Sequence, residues 1–249
     1  MVNLNEFYEK GYQVFEDTLN TKKTYELIEK IENIYKRQVQ EFNIQQLEKI
    51  GELNTIRSPF LYDREFIKLF YNDFTNNLIQ NILGTHAILS LQNAVKVVPK
   101  VKHHQTKYHR DLIHQEFTSS RPIAFNIYYC LTDFNKHNGG ITFIPKSHTT
   151  EKIGSSFIEK TPDVKSGSVI IFNSMVFHKA GHNQSLNSRI GINNMYTLPF
   201  VKQQINYSKH FKNPIGDKKL SRILGFESKE FESVNEFRNY RLSRYCDEK

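Results

Sequence analysis

The stretch GSVIIFNSMVFHKAGHNQSLNSRIGINNMY, residues 167–196, holds two short runs rich in β-branched and aromatic residues, GSVIIFN and IGINNMY, around a segment of Gly, Asn and Ser. Short apolar runs bounded by turn residues read as strands. Working outward, AILSLQNAVKVV (87–98), IAFNIYYCLTD (123–133) and GITFIPKS (140–147) have the same character. Strands this short and this closely spaced predict a sandwich or barrel over about residues 86–200, not a βαβ sheet.

The flanks read as helical. An amphipathic stretch over 3–18 includes FYEKGYQVFED, and residues 22–48 place Leu27, Ile28, Ile31 and Ile34 near a 3.6-residue period. A third helix is expected over 63–82, with Asp63 as N-cap and Gly84 ending it. The charged tail after residue 213 predicts helices at GDKKLSRILGF and SVNEFRNYRLSRY. With no repeat, low-complexity tract or linker, the 249 residues are expected to form one domain with helices before and after the β region.

Composition narrows the class. Hydrophobic residues make up 38% and aromatics 13%, enough for a real core. Two cysteines, Cys130 and Cys246, give no disulfide framework and predict a reducing, cytoplasmic setting. There is no apolar run of the roughly 20 residues a membrane span needs, and the acidic N-terminus has no signal-peptide core. The net charge of +8 is carried mostly by scattered lysines. With no basic helix or nucleic-acid motif, it reads first as a solvated surface and second as a rim attracting an anionic substrate.

The chemistry begins in YHRDLIHQ, residues 108–115. In a strand, His109 and Asp111 point the same way and Arg110 the other, so an imidazole and a carboxylate can share one divalent metal. A third ligand should come from a later strand. Residues 167–196 offer His178, which follows an apolar run, and His182, which sits in the turn-like AGHNQS; His178 is favoured. Two histidines and one carboxylate on one face leave three positions open, the facial triad of non-haem Fe(II) oxygenases. Arg189, eleven residues after His178, could point a guanidinium into the same barrel and grip a carboxylate with two parallel hydrogen bonds.

In order along the chain, the HRD pair, NIYYCLTD, NGGITFIPKSH (138–148), GSVIIFNSMVFH (167–178) and HKAGHNQSLNSR ending at Arg189 resemble the phytanoyl-CoA dioxygenase family of Fe(II)/2-oxoglutarate oxygenases. YTLPFVKQQINY and the opening FYEKGYQVFED are similar too. The resemblance implies a mainly β fold, a double-stranded β-helix (cupin-like jelly roll) with outer helices. It implies His109, Asp111 and His178 as iron ligands and Arg189 as partner of the 2-oxoglutarate distal carboxylate, with O2 as the oxidant. The reaction implied is hydroxylation with release of succinate and CO2, because halogenating relatives replace the Asp111 carboxylate with a small residue. Two positions depart from the family: Lys146 stands where Gly is common, and Ala180 where several members have a Ser that assists the distal carboxylate.

Alternation on IAFNIYYCLTD puts Asn126, Tyr128 and Cys130 on one face and Phe125, Ile127, Tyr129 and Leu131 on the other. The second set reads as core, so the first is expected to line the cavity. The resemblance implies that Tyr128 lies beside the cosubstrate. It also implies that Gln92 donates to the 2-oxoglutarate C1 carboxylate, as in ectoine-hydroxylase-like members. For Gln92, Asn126 and Tyr128 the competing reading is an ordinary strand residue satisfied by its neighbours. His103, His104 and His114 read as loop residues, and Gly139–Gly140 as a turn. The substrate expected is a small or carrier-linked molecule, anionic if the basic balance matters. A metal cupin of other chemistry and a catalytically silent jelly-roll binding domain remain the alternatives.

Overall fold

The computed structural model describes residues 2–247 except 102, 103, 113, 155, 212, 214 and 229. Its centre is a six-stranded antiparallel sheet in the order β1-β6-β4-β8-β3-β2. These strands are β1 (Tyr12–Phe15), β2 (Thr55–Arg57), β3 (Ile88–Val97), β4 (Ala124–Cys130), β6 (Val169–Asn173) and β8 (Arg189–Thr197). A second, smaller sheet pairs β5 (Ile141–Phe143) with β7 (His178–Ala180). Single bridges extend it to His109 on one side and Lys160 on the other. Two facing antiparallel sheets built from non-consecutive strands form a double-stranded β-helix, a jelly roll.

Each central strand is buried on both faces for a different reason. The outer face of the large sheet presents Leu89, Phe125, Ile127, Tyr129, Ile171, Ile192 and Tyr196 to the helices, forming the larger core. The inner face of β1, β4 and β6, with Tyr12, Tyr128, Cys130, Ile170 and Phe172, packs on Ile141 and Phe143 of the small sheet. Tyr12 and Phe143 stack with centroids 4.4 Å apart. The alternation expected for β4 is therefore observed.

The helical regions are more broken than periodicity predicts. Residues 3–18 are not one helix: α1 (Asn5–Lys10) ends at Gly11, whose φ is 87°, and the chain turns into β1. Tyr12–Phe15 pairs with Phe172–Val169, so partners far along the chain override the local helical pattern. Residues 22–48 split into α2 (Thr21–Phe42) and α3 (Ile44–Lys49) at Asn43, which caps the second helix through its side chain. Residues 63–82 split as well. Asp63 caps a 3-10 turn (Arg64–Leu69), and Asn72 starts α4 (Asp73–Ile82) with a reciprocal capping box to Thr75. Lys23 and Lys30 of α2 form ion pairs with Glu65 and Asp63, holding this segment against α2. After β8 come α5 (Tyr207–His210), α6 (Lys218–Ile223) and α7 (Val234–Asp247). Among the described residues, no helix is long and apolar enough to cross a membrane.

Lys146 adopts φ 67°, ψ −2° at the start of the 147–149 turn. That left-handed backbone strains any side chain with a Cβ, which explains why glycine suits the position. Its ammonium reaches Glu9 only at 3.4 Å on an exposed surface, a pair worth little. Lys146→Gly is expected to stabilise the fold by about 0.5–1 kcal/mol, read as a higher melting temperature in a thermal melt.

Candidate metal centre and cavity

His109 and His178 meet because their backbones pair. His109 N–H donates to the His178 carbonyl at 3.0 Å, and His178 N–H donates to the His109 carbonyl at 3.1 Å. Directly opposed residues of an antiparallel pair project side chains to one face, and these two rings lie 4.4 Å apart. Asp111 N–H donates to the Ser174 carbonyl at 3.0 Å, which brings its carboxylate to the same side. The stretch around His109 is thus a bridge at a sheet edge and not the regular strand its alternation suggests. The two side chains still share a face because the backbone is pinned at both residues.

The three side chains converge on one point. Asp111 Oδ1 lies 4.0 Å from His109 Nε2 and 3.6 Å from His178 Nε2. The Nδ1 atom of each ring faces the carbonyl two residues earlier, Lys107 or Val176, at 3.0 Å. Those contacts put the proton on Nδ1 and leave both Nε2 lone pairs aimed inward. His109 Nε2 is buried with no hydrogen-bond partner. Burial lowers the His178 pKa, outweighing the opposing effect of Asp111, so its ring is kept neutral and able to ligate. An orphaned buried nitrogen facing a second one and a carboxylate is a donor set that fits a divalent metal. His182 is exposed in the turn beyond, and His114 is exposed as well. His104 opens a short 3-10 turn, and His103 lies outside the described residues.

Behind the centre, Arg110 is buried and points away as alternation requires. Its guanidinium donates to the carbonyls of Met175 (2.8 Å), Glu151 (2.9 Å), Ser147 (2.9 Å) and Thr150. It also lies 3.9 Å over the Phe177 ring. One side chain thereby ties the 147–151 loop to the segment leading into His178. The sequence signal for this role was only its opposite parity to His109.

The triad opens into a cavity of about 220 Å³ lined by Arg189, Tyr128, Asn93, Asn193 and Ala180, among others. Arg189 is 2% exposed; its Nη1 meets Tyr128 Oη at 3.3 Å and its guanidinium lies 4.3 Å over Phe134. Its Nε has no hydrogen-bond partner, and among the described residues no carboxylate pairs with it. Burial raises the Tyr128 pKa in spite of the neighbouring Arg189, so the phenol stays protonated. Gly191 makes room for that ring: a Cβ there would come within 2.3 Å of Tyr128 Cε1. Ala180 lines the cavity without a hydroxyl, and Tyr128 is the hydroxyl that reaches Arg189 instead.

Two of the expected cavity residues do other work. Asn126 is fully buried and donates through Nδ2 to Asp111 Oδ2 at 2.6 Å and to Ser174 Oγ at 3.0 Å. It orients a triad member. Gln92 corrects the expectation more sharply, because it faces the helices and not the cavity. Its Nε2 donates to the Phe66 carbonyl (3.0 Å) and Asn194 Oδ1 (2.9 Å), and its Oε1 accepts from Phe60 N–H (3.2 Å). The neighbouring Asn93 takes the inward face. Gln92→Ala should therefore cost about 3 kcal/mol of stability through orphaned buried groups, measured by denaturant unfolding, while leaving 2-oxoglutarate affinity within about twofold of wild type.

Comparison with known proteins agrees with this architecture. The chain is similar to uncharacterized protein Mb1539 of Mycobacterium bovis and uncharacterized protein Rv1501 of Mycobacterium tuberculosis. Each is 26% identical over 238 residues, covering 91% of this chain and 87% of the relative. Among solved structures, EctD from S. alaskensis with 2-oxoglutarate and 5-hydroxyectoine aligns with a TM-score of 0.64 and 19% identity, covering 79% of this chain and 75% of that one. The non-haem alpha-ketoglutarate-dependent epimerase SnoN from nogalamycin biosynthesis aligns at 0.60 and 17%, covering 78% and 80%. At those identities the likeness concerns the fold. The sequence profile described as phytanoyl-CoA dioxygenase (PhyH) matches residues 7–191, from α1 to the strand carrying Arg189, and the chain belongs to that family.

Proposed function

We propose that the protein is an Fe(II)- and 2-oxoglutarate-dependent oxygenase that hydroxylates a small molecule. One observation carries the reading. The inward Nε2 atoms of His109 and His178 and the Asp111 carboxylate share a cavity with Arg189, a buried cation without an acidic partner among the described residues. Such a cation is costly unless an anion joins it, and a dicarboxylate chelating the metal at one end would bring that anion at the other. EctD and SnoN, which share the fold, are described with 2-oxoglutarate or as dependent on it.

His109, Asp111 and His178 would hold the iron, with Asn126 keeping Asp111 Oδ2 occupied and leaving Oδ1 beside the two histidine Nε2 atoms. Iron with 2-oxoglutarate, when bound, supplies the O2 chemistry that inserts oxygen into a C–H bond and yields succinate and CO2. Arg189 binds the distal carboxylate and Tyr128 steadies the guanidinium through its hydroxyl. Phe172 and Phe143, against the His178 ring at 4.9 and 6.1 Å, exclude water from that side.

The test is an anaerobic titration of metal-free protein with Fe(II) and then 2-oxoglutarate, followed through the weak visible charge-transfer band of the chelate. Appearance of the band supports the reading. Iron binding without a band would instead favour a metal cupin of other chemistry, and no iron binding would favour a silent domain.

A further inference from the structure

The cavity has a wall that this chemistry uses only in part. On the inner face, cross-strand neighbours form rows: Leu91, Met195 and Asn126 in one, then Arg57, Asn93, Asn193 and Tyr128 in the next, then Thr55, Val95 and Gly191. The cations along this wall already have partners. Arg57 Nε donates to both Glu52 carboxylate oxygens at 3.0 Å and its Nη1 to Gln204 Oε1 at 3.1 Å. Lys179 pairs with Glu159 at 2.8 Å. Once Arg189 takes the cosubstrate, none of these cations is left to receive a second anion.

What the wall does offer is unpartnered neutral oxygen. Thr55 is 5% exposed, and its Oγ1 is buried without a hydrogen bond; so is Asn193 Oδ1. The orientation of Asn193 follows from a chain of constraints. A carboxylate only accepts, so Asn126 must turn its Nδ2 to Asp111. Asn126 Oδ1 then accepts from Asn193 Nδ2 at 2.8 Å, which leaves Asn193 Oδ1 as a fixed acceptor. A hydroxyl donor satisfies that atom, whereas an anionic oxygen would be repelled by it.

A second cavity of about 480 Å³ adjoins the first and shares Leu91, Asp111, Met195 and Gln204 with it. Its other walls include Leu112, His114, Phe117, Ile123, Phe200 and Lys202, with Phe117 57% and Phe200 73% exposed and the Lys202 ammonium paired with Glu230 at 3.1 Å. The apolar Leu91–Met195 floor lies one row from Asn93–Asn193, roughly 7 Å along the strands. A ligand spanning both cavities would bury an apolar body in the groove and carry a hydroxyl one row deeper.

We infer that the substrate is a neutral, hydroxyl-bearing amphiphile, its hydroxyl received by Asn193 Oδ1 and its apolar body seated in the Phe117–Phe200 groove. This rests on the assignment of Arg189 to 2-oxoglutarate, and it replaces the anionic substrate suggested by net charge. Asn193 also links substrate to metal, since its amide reaches Asp111 through Asn126.

Three probes with one apolar body separate the possibilities: octan-1-ol, 1-methoxyoctane and octanoate. Each is titrated into the full chain loaded anaerobically with Fe(II) and 2-oxoglutarate, with binding followed by calorimetry and by perturbation of the chelate band. Octan-1-ol is expected to bind about tenfold more tightly than either of the others. Asn193→Leu should shrink that preference, with thermal melts verifying that the variant is folded. Octanoate binding as tightly as the alcohol, a preference that survives Asn193→Leu, or binding of no probe by either readout would overturn the inference. Failure of the chelate band to form counts against the oxygenase reading instead. In that case the alcohol–ether comparison on the metal-free chain still decides the hydroxyl subsite.

Discussion

Replacing Asp111 with alanine is expected to abolish turnover and to weaken Fe(II) binding by at least about 100-fold, since losing even an outer-shell partner of a metal ligand costs about 10–100-fold. The carboxylate is the only described acidic group among the three converging side chains, and its Oδ1 sits 4.0 and 3.6 Å from the two imidazole nitrogens. Without it, two imidazole rings would face the metal and no negative charge would balance it. Asn126 keeps its bonds to Ser174 and Asn193, so the cavity wall should persist and the protein should fold. Iron retained after anaerobic dialysis, together with circular dichroism, separates lost ligation from lost structure. Undiminished activity would remove Asp111 from the site.

Arg189→Ala should produce the second large effect, in a different parameter. Losing a buried, charge-assisted contact to a carboxylate costs about 2–4 kcal/mol, which is about a 30- to 1000-fold rise in the 2-oxoglutarate requirement. Fe(II) affinity should stay near wild type, because Arg189 is bonded to Tyr128 and packed on Phe134, not held by the triad. The same substitution removes an uncompensated buried charge, so the variant without cosubstrate should melt no lower than the wild type apart from the cost of the space left behind. Added 2-oxoglutarate should raise the melting temperature of the wild type and not of the variant. Equal cosubstrate dependence in both proteins would reduce Arg189 to a structural role.

The two substitutions act on residues brought together from distant parts of the chain, and they bear on how much was legible beforehand. His109 and Asp111 could be paired from spacing alone because a period of two holds wherever the backbone is extended, even at a single bridge. His178 could be preferred to His182 because an apolar run ends at one and turn residues surround the other. The faces of β4 were equally readable, since its core side is an unbroken set of Phe125, Ile127 and Tyr129, continued by Leu131 just beyond the strand. Helices failed where polar caps interrupt them: Asn43 ends α2 and begins α3, and Asn72 begins α4 after the preceding turn has ended at Leu69.

Local sequence determined the parts: an extended β region between helical flanks, two histidines and a carboxylate at strand ends, and an arginine opening the last strand. Tertiary structure alone decided which way several of them face. On β3, Gln92 and Asn93 are both amides in a strand buried on both sides, and alternation says only that they point oppositely. A shift in register between Leu89 and Leu91, together with the backbone groups of Phe60 and Phe66 awaiting partners, sends Gln92 outward and Asn93 into the cavity. Tyr12–Phe15 became a strand because the edge of β6, more than 150 residues later, supplied its hydrogen bonds. Asn193 became a fixed acceptor only because Asn126 and Asp111 lie beside it. A strand's pleat is written in its own residues, whereas the groups that satisfy each face come from elsewhere in the fold.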